Sequence, residues 1–474
     1  MKSTSQNYDV KMAAQCRNRS HIRISLNSAG TVYSFTDDQI SVAEKASDID
    51  PLSRRLPKET FTFSIIDLAG EYNPSNPSGK WSSLDENAVI SVEFGYEITA
   101  GTTEWLAADE YCLDARPTVS GGIAKFVASS RLCHLTKNYY KGTYGTQSFY
   151  SMAVAVLTDA GLSASDYIID SSLSDLYTDA PLPITTHVNC LQLIAHATGC
   201  TLRTVNGIVR MDKFSANIQP GSFIVGLDSI ALGGDTVSKI ETLYKVQANQ
   251  YVYTPDSETS VLATVNIDSE DETHCHIEYA TAADISLTVD GSATITDLHV
   301  YAQAADFVLN GTGTFSVTVT GKKITSSVST VESVISLDTT GATDSEKNQL
   351  ITSTALQYSL IYNVANYLQY RLTHTVKYRG NPELEPLDAL FFATQYGTFI
   401  SALVLTHKIT FNGAVSGSMT LKSISEISDC FLYDSNEEVV TDRNGDRIGI
   451  IGLTDYQSNY TTQEMDAFIS EVID

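Results

Sequence analysis

Side chains that can attack, shuttle a proton or hold a metal are sparse in this sequence, and their spacing argues against chemistry. The seven cysteines, Cys16, Cys112, Cys133, Cys190, Cys200, Cys275 and Cys430, are scattered, with no C-x-x-C pair. An odd, dispersed set suits neither a disulfide framework nor a zinc knuckle, so reduced thiols, most of them in cores, are expected. Two thiol–base pairings can be drawn, Cys190 with His196 and Cys133 with His134. A catalytic thiol needs such a base to become thiolate, but Cys190 falls two positions past Val188 and one before Leu191, near the apolar side of an expected helix. A structural thiol is the plainer reading there. His274-Cys275-His276 sets two imidazoles on one face of an expected strand, which is how a metal site can start. No third ligand stands at a suitable spacing, so a surface strand with its cysteine turned inward is expected. Asp442-Arg443-Asn444-Gly445-Asp446 approaches a calcium loop, yet its glycine comes fourth instead of sixth and Leu453 stands where the bidentate Glu belongs. A tight turn is expected instead. The H-E-x-x-H, G-x-S-x-G, Walker and G-x-G-x-x-G patterns do not occur. No catalytic, cofactor-binding or metal residue is therefore assigned, and the chain is expected to be neither an enzyme nor a cofactor protein.

Positioning elements can be drawn along the whole length. At 474 residues the chain is long enough for roughly three domains, each with its own core. Lys plus Arg number 30 against 56 Asp plus Glu, a net charge of -26, with 18 % charged residues. Such a surface repels phosphate backbones, which disfavours a sequence-reading nucleic-acid binder and an anionic-membrane binder. The first twenty residues hold no apolar run of signal-peptide length, and no 18-residue apolar span occurs anywhere. Synthesis and folding in the cytoplasm, without membrane insertion, follow as the expectation.

Residues 1–130 alternate in period two, as in His21 to Leu26, Phe61 to Ile65 and Val89 to Phe94, which predicts half-buried antiparallel strands around a proline-rich loop, Tyr72 to Trp81. Residues 131–235 change period. A helix is predicted over Thr146 to Ala160 with Gly161 after it, and a second over His187 to Thr198, with a Thr before it and Gly199 after. A hairpin around Asn206-Gly207 completes a small α+β module. Residues 236–429 return to strands: one over Ile240 to Tyr253, more from Ala283 to Leu337 with Gly291, Gly311, Gly313 and Gly321 at turns, and a helix from about Ser345 to Leu372. A meander follows, with strands Thr373 to Tyr378, Ala389 to Thr394, Thr398 to Phe411 and Ala414 to Ile424. Gly380-Asn381-Pro382 marks one turn, and Asn412-Gly413 suits a tight type I′ hairpin. Residues 430–474 form a polar extension with a capped helix start at Thr462. The class is α+β, mostly β.

The Arg379-Gly380-Asn381-Pro382-Glu383-Leu384-Glu385-Pro386-Leu387-Asp388 turn, followed by Phe411-Asn412-Gly413-Ala414 between long strands, resembles the second tube-like domain of phage baseplate hub proteins. The hub family is shared with the amino-terminal part of siphophage tail-associated lysins. Leu387 departs from it, standing where glycine is more usual. The strand, Asn73-Pro74-Ser75-Asn76-Pro77-Ser78-Gly79 loop and strand ending in Phe94-Gly95-Tyr96, with Trp105 beyond, is similar to the first tube domain of the same family. The resemblance covers most of the chain. It implies two tube-like antiparallel β-barrel domains, 1–130 and 236–429, with the module 131–235 between them and the extension 430–474 after. It further implies a homotrimeric ring at the tail tip of a virion, joining the distal tail protein to tip, spike or receptor-binding proteins, through which the tape-measure protein and then DNA pass. Tail-associated lysins carry their hydrolase in an added carboxy-terminal domain, for which the residues after 429 are too few. Channel-facing positions are expected to be rich in Asp, Glu, Ser, Thr and Asn and poor in Lys and Arg, since basic walls would hold a sliding polyanion. The competing reading is a receptor- or carbohydrate-binding virion β-protein, which should expose convergent aromatic and acidic side chains in one cleft.

Overall fold

The computed structural model describes residues 2–13, 19–215, 224–226, 229–240, 243–334, 340–393 and 399–423. The extension 430–474, with the Asp442–Asp446 turn and the helix start at Thr462, lies outside the described residues, as do Cys16 and Cys430. A short helix α1 (Gln6–Ala13) precedes strands β1 (Ser20–Ser28), β2 (Thr31–Thr36), β3 (Ile40–Asp48), β4 (Lys58–Ile66), β5 (Val89–Thr99), β6 (Thr102–Leu113), β7 (Thr118–Ser120) and β8 (Ile123–Ser129). The middle of the chain forms β9 (Asn138–Tyr139), β10 (Gln147–Ser148), α2 (Phe149–Asp159), β11 (Tyr167–Ile169), β12 (Tyr177–Thr178), β13 (Thr185–Thr186), α3 (His187–Thr198), β14 (Cys200–Val205) and β15 (Ile208–Lys213). Then follow β16 (Ile224–Val225), β17 (Ile230–Lys239), β18 (Leu243–Pro255), β19 (Ser260–Glu278), β20 (Ala282–Val289), β21 (Thr294–Val300), β22 (Ala304–Val334) and β23 (Ala342–Glu346). The last described elements are α4 (Thr354–Leu368), β24 (Leu372–Tyr378), β25 (Ala389–Ala393), β26 (Phe399–Phe411) and β27 (Val415–Ser423). The described chain is mostly β, and none of its helices is long and apolar enough to cross a membrane.

Period-two alternation builds the first core. Ile22, Ile24 and Leu26 of β1 are buried while Arg23 and Asn27 between them are exposed. Phe61 and Phe63 of β4, Ile90, Val92 and Phe94 of β5 and Phe126 of β8 point the same way into one cluster. Phe63 and Phe126 stack at 4.6 Å, which adds directed aromatic contact to area burial. A second cluster gathers Val376 and Tyr378 of β24, Leu390 and Phe392 of β25 and Met419 and Leu421 of β27. The two lie in one sheet of fourteen strands, running β17-β24-β27-β26-β3-β4-β8-β6-β5-β1-β2, because β26 pairs antiparallel with β3.

Strand β26 serves three cores. Ala402 and Val404 enter the second cluster, Leu403 and Leu405 a third built around α2, α3 and α4, and Ile409 and Phe411 the first. A bulge makes this possible. The register with β27 runs Val404↔Leu421 and then Thr406↔Thr420, so one residue is extra and the parity of the strand switches. His407, Ile409 and Phe411 thereby continue the face begun by Ala402 and Val404.

The module follows its predicted elements closely. Helix α2 begins at Phe149 and not at Thr146, with Ser148 capping it by accepting from the Ser151 N–H, and past Ala160 the Leu162 N–H returns to the Leu157 carbonyl, the six-to-one bond of a Schellman ending. Thr186 caps α3 as expected, and Gly199 ends it at φ +67. Asn206 and Gly207 both have positive φ between β14 and β15, the signature of a two-residue primed turn.

Four expectations change. At Asn412-Gly413 Phe411 pairs with Val415, so the loop has three residues, and among them Gly413 alone has positive φ; the turn is not type I′. The helix expected from Ser345 begins at Thr354, because Ala342–Glu346 pairs in parallel with β18 and the Ser353 hydroxyl caps the helix by accepting from Leu356. Strand β18 does not open the large sheet; it joins β19, β20, β21, β22 and β23 in a separate six-stranded one, and a division at residue 235 falls inside β17, which pairs with β24. Gly291 does sit at a turn, but Gly311, Gly313 and Gly321 lie inside β22, a 31-residue strand that pairs with β19 over its first part and with β18 over its last. The Thr, Ser and Val content on either side keeps the backbone extended through those glycines.

Both tryptophans, Trp81 and Trp105, fall within the stretch from β4 to β6. Ile409→Ala should destabilise the transition seen by tryptophan fluorescence in urea by about 2–5 kcal/mol, and Thr410→Ala on the solvent side by less than about 0.5 kcal/mol. An unmoved transition in Ile409→Ala would mean that β26 is not part of the first core.

Candidate functional site

Where β26 meets β3, the shared inner face carries polar groups in place of hydrocarbon. Across the strands, Glu59 of β4, Ser47 of β3 and His407 of β26 stand in one row, all buried, and Lys45 lies two positions along β3, also buried. The Lys45 ammonium donates to the Ala108 carbonyl at 3.0 Å. Lys2 reaches the same carbonyl at 2.6 Å and pairs with Glu385 at 3.3 Å. Burial, reinforced by the neighbouring Lys45 charge, pulls Lys2 down to about 8. Burial and the adjacent Asp109 push Glu59 up to about 7. Its carboxylate still accepts from the Thr204 N–H at 3.1 Å, which ties the module to the sheet.

The turn from Gly380 to Asp388 is the other wall of this seam. Asn381 Oδ1 accepts from the Glu383 N–H at 3.0 Å and from the Tyr8 hydroxyl at 3.0 Å. The Tyr378 hydroxyl accepts from the Asn381 N–H at 3.0 Å and lies 2.7 Å from His407 Nε2. Burial holds His407 down to about 3, so the ring is neutral and the tyrosine donates to it. Leu387 has φ +74, a left-handed conformation that costs a branched residue about 1–2 kcal/mol. Its side chain packs against the third core and its N–H bonds the Val404 carbonyl at 2.7 Å, which offsets that strain.

A second ionic knot joins module and sheets. Arg54 lies 3.2 Å from Asp344, 3.6 Å from Glu346 and 3.6 Å from Asp50. Glu346 bonds His196 Nε2 at 3.0 Å, and Asn348 approaches its Nδ1 at 3.2 Å. Burial works against the Glu346 carboxylate, but His196 and Arg54 outweigh it and keep it below its ordinary range.

These partners decide the fate of the thiol–base pairings. His196 is turned to Glu346 and Asn348, while Cys190 faces the carbonyls of Pro183 and Thr185 at 3.8 and 3.9 Å. Burial pushes the Cys190 thiol up to about 12, which leaves it inert. Cys133 lies 3.5 Å from the Ser130 hydroxyl, and His134 contacts the Cys112 carbonyl and Asp114, each at 3.2 Å. On β19, His274 and His276 are exposed and Cys275 packs inward, as expected from the pattern. His276 pairs with Asp306 at 2.6 Å, and among the described residues no three His, Cys, Asp or Glu converge on one point. The described cysteines are free thiols.

The solvent face of the joined sheet is hydroxyl-rich. One row runs Thr236, Thr375, Thr420, Thr406, Asp48 and Lys58 across six strands. A neighbouring row runs Lys377, Ser418, Lys408, Ala46 and Thr60, and a third includes Ser416, Thr410, Glu44 and Thr62. The face is not poor in lysine. Lys408 is neutralised by Glu44 at 2.7 Å, so it is closer to balanced than acidic.

Sequence reading missed the seam. Its signal was present as Lys45 and His407 in phase with Ala43, Ile409 and Phe411, that is, ionisable residues on the apolar beat of a strand.

No protein-family model and no curated protein matches the chain. Structural neighbours of the chain include phage tail proteins. The tail protein from Neisseria meningitidis MC58 aligns with 85 % of this chain and 96 % of its own at 9 % identity and a TM-score of 0.46. The 43 kDa tail protein of prophage MuSo2 from Shewanella oneidensis aligns with 85 % and 98 % at 10 % identity and 0.47. Prophage tail protein gp18 from Listeria monocytogenes EGD-e aligns with 86 % and 96 % at 9 % identity and 0.44. These are likenesses of chain path, and at such identity and score they assign no role.

The seam titrates in a defined direction. Glu59 binds its proton more tightly folded than unfolded, so its share of stability is present below about pH 4.5 and is lost as pH rises towards 7. His407 acts oppositely: its cost falls as pH rises from about 3 to 6.5. Glu59→Gln should remove the first effect and gain on the parent by up to about 3 kcal/mol between pH 4.5 and 7.5. Parallel urea-midpoint profiles for the two proteins over that range would refute the assignment.

Proposed function

We propose that this chain is a structural baseplate hub of a phage tail tip, assembled as a homotrimeric ring that continues the tail channel. The supporting observation is the fourteen-stranded sheet itself. Two β units, each with its own core, are fused through β26 and β3 and turn one broad hydroxyl-rich face to the same side. At the ends of that sheet, β2 and β17 have no strand on their outer sides among the described residues. Unpaired ladder groups on an edge favour addition of another strand, and identical copies joined head to tail close a ring. Exposed apolar side chains lie on both edges, Val32 on β2 and Leu232 and Val237 on β17.

In this reading each β unit is a tube-like barrel domain, and three chains supply six such units around the axis. The ring meets the distal tail protein above and the tip, spike or receptor-binding proteins below, and serves host cell attachment and DNA ejection. The tape-measure protein and DNA pass through without specific binding. Rows of threonine and serine suit that task, since hydroxyls add no fixed cation and Glu44 neutralises Lys408, which leaves Lys58 and Lys377 as the basic positions of those rows. The chain is made in the host bacterial cytoplasm and incorporated into the virion, with no cofactor and no hydrolase of its own. His196 and the thiols at 133 and 190 are structural in this account.

Native mass measurement of the full chain with its distal tail partner should give three copies. Val32→Lys with Val237→Lys should leave a folded single copy, because charged edges block strand addition. A single copy of the parent chain in that complex, or a trimer that survives both changes, would remove the ring. Purified chain should release nothing from peptidoglycan, and hydrolysis lost on Cys190→Ala or His196→Ala would overturn the non-enzymatic part.

A further inference from the structure

We infer that the cleft between the module and the six-stranded sheet binds a neutral pyranose sugar. The cleft holds about 540 Å³ and is lined by Tyr144, Tyr301, Asp256, Asp284 and Lys322 around a floor of small apolar residues that includes Ala282 and Ala302. That volume falls in the range of small-ligand clefts, roughly 300–1,000 Å³. The inference does not rest on the ring, because these residues lie away from the edges β2 and β17.

The site is held rigidly. Its floor is stitched by main chain, with the Ala302 N–H on the Gly142 carbonyl at 2.7 Å and the Ala282 N–H on the Ala302 carbonyl at 2.9 Å. Gly142 itself lies so close to the Leu182 backbone that a Cβ would come within 2.4 Å of the carbonyl oxygen, which fixes the loop bearing Tyr144. The Tyr144 hydroxyl donates to the Tyr253 carbonyl at 3.3 Å. Asp284 sits at a bulge between Ala283 and Ser286, at φ +51, and this turns its carboxylate to Lys322 at 2.8 Å. Bulges re-aim side chains in this way.

Charge and shape then select the ligand class. Two carboxylates against one ammonium repel a phosphate or a uronate, and Lys322 and Lys323 are the only lysines or arginines between Asp256 and Lys323. A cation has no three converging ligands here. An apolar ligand would desolvate the Asp256 carboxylate and the Asp284–Lys322 pair while offering them no hydrogen bond. A neutral polyol satisfies every group: its hydroxyls donate to Asp256 and Asp284 and accept from Lys322, and the C–H face of its ring lies on a tyrosine.

The test is saturation-transfer NMR on the full chain with glucose, galactose and N-acetylglucosamine, and with glucuronate as the anionic control. Transfer is expected to at least one neutral sugar and not to glucuronate. Asp284→Asn, which keeps the side-chain shape, should weaken binding about tenfold through loss of a charge-assisted hydrogen bond, and Tyr301→Ala should also reduce it. No transfer to any of the three sugars, equal transfer in both variants, or glucuronate bound as well as the neutral sugars would each overturn the inference.

Discussion

The pairing of β26 with β3 is the constraint on which the remaining architecture depends. It joins residues 43–48 to residues 406–411, so nearly the whole chain must be threaded before it forms. Closing so long a loop costs entropy that grows only with the logarithm of its length, and burial of Ile409 and Phe411 in the first core repays it. A one-residue change of register flips every side chain of a strand to its other face. Without the extra residue between Val404 and Thr406, those two would face water and Lys408 and Thr410 would face the core. The bulge is therefore what allows one strand to belong to two β units.

Buried charge at that joint has a physical logic of its own. Taking ammonium and carboxylate groups out of water is costly, and such pairs rarely add net stability. Lys2 and Glu385 are paired across the joint, and a slipped arrangement of the two halves would separate that pair. The amino-terminal segment belongs to the same device. Tyr8 is fully buried against Tyr96 and bonded to Asn381, and so bridges β5 to the Gly380–Asp388 turn.

Legibility followed sequence distance. Alternation in β1, β4 and β5, Gly161 after α2, the caps of α3, and the Asn206-Gly207 turn depend on neighbours within a few positions, and they were readable. Strand β22 was not, because its glycines signal turns locally while partners on both sides, β19 and β18, hold it extended. The start of α4 was hidden in the same way: helical spacing runs back past Ser353, but parallel pairing of β23 claims those residues first. His196 looked like a base for Cys190 until Glu346, 150 positions on, took its ring nitrogen. The polar seam was hardest, because a lysine on the apolar beat of a strand reads as an error until the opposite wall is known.

The acidity of the chain, -26 overall, is unevenly placed, and this separates two kinds of surface. Strands β19 to β22 carry Glu270, Asp271 and Glu272 in one run, with Lys322 and Lys323 as their only lysines or arginines. The broad face of the fourteen-stranded sheet instead carries threonines and serines together with Lys58, Lys377 and Lys408, the last held by Glu44. Screening over roughly 8 Å at physiological salt isolates charges on separate elements from one another. Repulsion from β19 to β22 therefore reaches little of that face, whose electrostatics are set by its own hydroxyls and lysines. Acidity on the six-stranded sheet then acts locally, and the larger sheet keeps a charge balance of its own.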